Sequence, residues 1–197
     1  MFKGKTVLLL STLSACLFAS SSLFAQKLIV PQEIHHADKV YTLAFTAPQG
    51  RNSKRALYEY TTNGEAVEKW SSLITILYEG NSNSKTDPLD FSAALLKSLA
   101  ATKPEPISSV TVENGHVLMR SVYEPDAANP VYESNVSKSF HGAAACGGLL
   151  QFQYAVKTPA GADQSAAGRQ ASLKLVNEGN ASLAAQLRDS AWKPSCE

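Results

Sequence analysis

The chain has 197 residues, of which 44% are hydrophobic and 18% charged, with 18 Lys and Arg against 17 Asp and Glu. That length suits one ordinary domain with a real core, and the composition excludes an intrinsically disordered protein. A formal charge of +1 supplies neither the basic surface that makes nucleic acid a default partner nor an acidic tail.

Residues 1–25 read as an export signal. Lys3 and Lys5 form a positive start, and Thr6 to Ala25 carries no charge, with Val7-Leu8-Leu9-Leu10 at its heart. Ala25 suits a signal peptidase, although Leu23 departs from the small-x-small preference. The run is about long enough for a membrane anchor, but its serine- and alanine-rich second half favours cleavage. A second reading occupies the same segment. Leu13-Ser14-Ala15-Cys16 resembles a bacterial lipobox, in which Cys16 would be acylated. Leu17, Phe18, Leu23 and Phe24 then stand where lipoproteins continue into a polar tether. The expectation is a periplasmic or secreted protein, with a membrane-anchored lipoprotein as the alternative.

Three cysteines occur, Cys16, Cys146 and Cys196. With Cys16 removed or lipidated, two remain in an oxidising compartment, which predicts a Cys146–Cys196 disulfide. It would close a loop of 50 residues, from 146 to 196, worth on the order of 4 kcal/mol in the chain-entropy model. Without Lys3 and Lys5 the mature chain has 16 basic and 17 acidic residues, a net charge of −1.

Residues 26–38 read as an irregular leader and 39–197 as one domain. Lys39–Thr46 is a strand with Tyr41, Leu43 and Phe45 on one face by the period of two. Ala56–Thr61 is a second strand, ended by Thr62-Asn63-Gly64. A short helix is expected from Glu65, with Val67 and Trp70 inward. Leu73–Tyr78 is an apolar, β-prone run that suits a central strand. Asp87 caps a helix with Pro88 at its first position, and Phe91, Ala94, Leu95, Ser98 and Leu99 form its inner stripe. Ser109–Glu113 and His116–Tyr123 flank Asn114-Gly115, the signature of a two-residue hairpin turn. Glu113 should then pair with His116, Val112 with Val117 and Val110 with Met119. These valines and Met119 share the core side. Tyr132–Phe140 reads as a less buried strand and Leu150–Val156 as a half-buried one. Two helices, Ala166–Glu178 and Ser182–Trp192, close the chain, the second with Leu183, Leu187 and Ala191 inward. The class is α+β, a mainly antiparallel sheet of about six or seven strands with flanking helices.

Groups that could carry chemistry are few. Cys146 with His141 could form a thiolate site, but the disulfide is the simpler use of Cys146. His35 and His36 are weak metal candidates, because adjacent histidines in an extended chain point apart and need ligands from elsewhere, such as His116 or His141. Glu113 and His116 suit a surface pair. Glu65 and Glu68 lie near a helix start. Trp70 and Trp192 suit core anchors, and Tyr58 and Tyr60 an exposed face or the core. Asn135-Val136-Ser137 and Asn180-Ala181-Ser182 fit glycosylation sequons, relevant only in a eukaryotic secretory host. The chain has no phosphate-binding glycine loop, G-x-S-x-G elbow, H-E-x-x-H or C-x-x-C.

Gly64-Glu65, four residues, Trp70 and then Leu73–Tyr78 resemble a segment of exported bacterial proteins of uncharacterised function. The order of elements resembles the sheet-plus-helices domains of the Mog1/PsbP-like type. Both resemblances imply a non-catalytic accessory or binding domain of the bacterial cell envelope. They bring no cofactor, and fold alone carries no function. The partner would be an unidentified envelope protein or a small ligand, not nucleic acid, with a membrane involved only if Cys16 is lipidated. A small hydrolase with an unrecognised site is the competing reading.

Overall fold

The computed structural model describes residues 28–49, 55–80, 87–127, 129–141, 147–190, 192 and 195–196. The expected signal peptide, Cys16 and Cys146 lie outside them.

Eight strands form one antiparallel sheet: β2 (Glu33–His36), β3 (Lys39–Gln49), β4 (Arg55–Thr61), β5 (Ser72–Glu79), β6 (Ile107–Glu113), β7 (His116–Tyr123), β8 (Val131–His141) and β9 (Leu149–Pro159). Their spatial order is β2-β3-β4-β5-β9-β8-β7-β6. A separate two-stranded sheet pairs β1 (Leu28–Ile29) with β10 (Ser195–Cys196). The α+β class holds, with eight main strands rather than six or seven. The expected irregular leader instead supplies β1 and β2, and Leu28 and Ile34 from it enter the core.

The sheet is curled. Tyr41 on β3 and Tyr154 on β9 are three strands apart, yet their ring centroids lie 6.0 Å from each other. A flat sheet would hold those strands about 14 Å apart. His36 on the β2 edge likewise meets Tyr154 at 4.6 Å. The concave face holds the principal core, including Ile34, Tyr41, Tyr60, Ile74, Ile76, Val136, Leu150, Phe152 and Tyr154.

A bulge decides which side of β3 joins that core. Leu43 pairs with Tyr60 but Phe45 pairs with Glu59, so one extra β3 residue stands between them. An inserted residue reverses the alternation beyond it. Phe45 therefore turns to the convex face, 42% exposed, and does not share a face with Tyr41 and Leu43.

Two helices cover opposite faces. The first, α1 (Pro88–Ala100), starts where Asp87 accepts the Leu89 N–H at 2.7 Å, as the cap and Pro88 predict. Its inward positions are Pro88, Ser92 and Leu99, with Leu95 facing a cavity over β7–β9. The stripe is thus rotated from the expected one, and Ala94 and Ser98 are exposed. The second, α2 (Ala166–Asp189), is one helix of 24 residues rather than two. Asn177, Gly179 and Asn180 are poor helix formers, which explains the expected break. Arg120 overrides them by donating from Nε to Asn180 Oδ1 at 2.8 Å and from Nη2 to the Asn177 carbonyl at 3.0 Å.

The hairpin register is as expected, including Glu113↔His116 and Val110↔Met119, with Asn114 and Gly115 both at positive φ. Its faces are less one-sided. Val117 and Met119 are buried, but so is Leu118 on the opposite face, while Val112 is 58% exposed. Strands β8 and β9 are also more buried than expected, because covering lies over both faces.

Candidate functional site

The Gly-Glu-x(4)-Trp segment builds a closed turn, not the expected helix. Asn63 and Gly64 both adopt positive φ. The Glu65 carboxylate then accepts from Ser71 N at 3.0 Å and Ser71 Oγ at 2.7 Å. These bonds cinch the turn, and they explain the role of Glu65 without any acid–base chemistry. Glu68 acts on Glu59, whose carboxyl is raised by burial first and by the Glu68 charge second. Trp70 is half-buried under the Lys157 ammonium, 3.9 Å from its ring centroid, which is a cation–π contact. Trp192 does anchor a core edge, against Phe152 at 5.1 Å and Phe140 at 6.4 Å. Tyr58 is half-buried and Tyr60 buried in the same core, where the Tyr60 hydroxyl donates to the Pro31 carbonyl.

The histidines diverge. His35 pairs with Val40 and is exposed, whereas His36 faces the core rings. Burial lowers the His36 pKa, and its Nε2 has no hydrogen-bond partner among the described residues. Among the described residues no three His, Cys, Asp or Glu side chains are grouped to hold a metal. His116 contacts the Phe140 ring at 5.5 Å, His141 is exposed at the end of β8, and neither joins His36. Glu113 turns to Arg188, 3.6 Å away, rather than bonding His116. The Asn180 sequon sits on a side chain only 1% exposed, where burial excludes a glycan.

On the concave face, the Tyr41 hydroxyl lies 3.1 Å from Ser72 Oγ and 3.2 Å from the Tyr154 hydroxyl. A phenol has one proton, so Tyr41 donates to one and accepts from the other. Lys39 Nζ donates to the same Ser72 Oγ at 3.5 Å. This juxtaposes a serine and a lysine, but Ser72 has no exposed surface, and the chain of hydroxyls serves to lace β3, β5 and β9 together. Burial, and then the bond with Tyr41, raises the Tyr154 pKa far above the working range, so the phenol stays neutral.

Beside Tyr154 opens a cleft of about 370 Å³ between β9 and α2. Val156 and Tyr154 form one wall, Leu175, Val176 and Leu183 the other. Ser134 and Thr158 place hydroxyls in the lining, and the Asn180 amide is spent on Arg120, Ser121 and Asn135. Among the described residues, no side chain in the lining is charged. Gly179 lines the cleft on the helix side, and a Cβ built there meets nothing within 4 Å, so a larger side chain has room to enter the cleft. A helix-interior glycine costs about 1 kcal/mol relative to alanine, and no close packing at Gly179 offsets it. Sequence reasoning missed this site. Its only trace in the sequence was Gly179, in the gap expected between two helices.

Two other cavities carry less. One of about 310 Å³ lies between β2 and the C-terminal tail, beside His36 and Trp192. One of about 150 Å³ lies under α1, above a polar ladder in which Gln153 donates to Asn135 and Asn135 to Glu133.

Fold and cleft together define an α+β domain with an uncharged apolar pocket between sheet and helix. A protein-family model matches residues 28–192. The chain belongs to that family, which is uncharacterised. No curated protein and no solved structure matches the chain.

Proposed function

We propose that the protein is an exported, non-catalytic binding domain of the bacterial cell envelope, and that it takes a small apolar ligand in the cleft between β9 and α2. The observation that carries this reading is the cleft itself. It has the volume, apolar lining and sparse hydrogen-bonding groups of small-molecule sites, with Gly179 in its helix wall free of close packing. The resemblances to exported bacterial proteins and to Mog1/PsbP-like domains agree with it, and the apolar stretch of residues 6–25 supports export. Lipidation at Cys16 would place the same domain on a membrane, and the mass of the mature N-terminus separates the two. A small hydrolase is the weaker reading, because Ser72, the serine that Lys39 reaches, is fully buried.

The test uses the neutral fluorescent probe N-phenyl-1-naphthylamine. The protein is expected to bind it saturably, and Gly179→Leu to weaken binding at least tenfold, about 1.4 kcal/mol, without loss of stability. Equal binding by the two proteins overturns the assignment.

The Cys146–Cys196 bridge belongs to the same proposal. Cys196 is carried by β10, paired to Leu28, and Trp192 docks on Phe140 and Phe152. Those residues stand on the strands flanking the connector that contains Cys146. Denatured, unreduced protein is expected to show no free thiol from this pair; two reactive thiols overturn the bridge.

A further inference from the structure

We infer that the β6 edge is a self-association surface, on which a second copy of this chain pairs antiparallel and continues the sheet. Strand β6 ends the spatial order and, among the described residues, has only β7 beside it. The two-residue Asn114-Gly115 turn makes Glu113 and His116 a hydrogen-bonded pair. Alternation then directs the N–H and C=O groups of Ile107, Ser109, Thr111 and Glu113 toward β7. Those of Ser108, Val110 and Val112 point outward.

Such a row is a template for another strand, and most proteins guard it with charge, proline, a bulge or brevity. The opposite edge is guarded. Strand β2 has four residues, carries Glu33, and is folded onto β9 through His36. Strand β6 has seven residues, reads ISSVTVE, and has no charge before its last position. Its Ile107 and Val112 are 45% and 58% exposed.

The occupant follows from the register. With Val110 on a two-fold axis, Val110 meets the second copy's Val110, and Ser108 meets its Val112. Three outward residues per copy offer a donor and an acceptor each, so six hydrogen bonds form. Between them, Thr111 meets Ser109 and Ile107 meets Glu113, and no like charges are opposed. The two-fold stands perpendicular to the sheet, so both α1 helices lie on the convex face, flanking a seam of Val110 and Val112. A one-residue slip would set outward groups against inward ones.

Sedimentation velocity on the purified full chain across about 1–300 µM tests this. The expected result is a concentration-dependent dimer, since one strand pair makes a small interface. Val110→Pro removes the central outward N–H and no β6–β7 bond, as an edge strand allows. It is expected to be a monomer throughout, with an unchanged far-UV spectrum. Val112→Lys, at an already exposed position, is expected to weaken the dimer at least tenfold, and it decides alone if the proline variant fails to fold. A monomeric parent protein overturns the proposal, and so does a dimer undiminished in the folded variants.

Discussion

Replacing Asn180 with leucine is expected to destabilise the protein by about 3–5 kcal/mol. The side chain is 1% exposed and joins three elements. Its Oδ1 accepts from Arg120 Nε at 2.8 Å, and its Nδ2 donates to the Asn135 carbonyl at 3.1 Å and the Ser121 carbonyl at 3.4 Å. Leucine has a similar shape, so the change removes bonds rather than volume. It leaves the part-buried Arg120 guanidinium short of an acceptor, with Asn177 its remaining partner among the described residues. Unfolding in urea, followed by far-UV circular dichroism, measures the loss. Arg120→Leu combined with Asn180→Leu should cost less than the two single changes summed, because it strands no charge. Strict additivity would mean that the guanidinium is not what makes Asn180 costly to remove.

The second large effect is expected at Phe152. This ring is 2% exposed, lies 5.1 Å from Trp192 and 6.1 Å from His36, and so holds both the C-terminal tail and the β2 edge. Phe152→Ala should cost about 3–5 kcal/mol, from lost burial and the cavity left behind. The variant reports its own mechanism, since Trp192 and Trp70 are the only tryptophans in the chain. Red-shifted emission in the folded variant is expected as Trp192 loses its apolar neighbour. A loss of stability with unmoved emission would show that the ring supports the core but not the tail.

Local signals read well where one short-range cause decides the outcome. Asn114-Gly115 specified the hairpin register because positive φ at two successive residues permits little else. Asp87-Pro88 marked the start of α1 because a carboxylate and a missing N–H both favour that position. The errors arose where a distant residue decides. The bulge that turns Phe45 outward is a property of the β3–β4 pairing. The continuity of α2 through Asn177 and Asn180 depends on Arg120, far away in the chain. The rotation of the α1 stripe follows from the convex face it lies on.

The cleft was the least legible feature. Its residues come from β8, β9 and α2, and each has an ordinary structural role when taken alone. Only the curl of the sheet and the placement of α2 turn Tyr154, Val156, Leu175 and Leu183 into facing walls.

By itself, the sequence determined the class of fold, most of its strands, the hairpin pairing and the start of α1, because period, turn chemistry and capping act over a few residues. Tertiary structure alone decided which faces are buried, that one helix replaces two, and that an uncharged cavity opens beside Gly179. Those outcomes depend on contacts between segments distant in the chain, which local pattern does not encode.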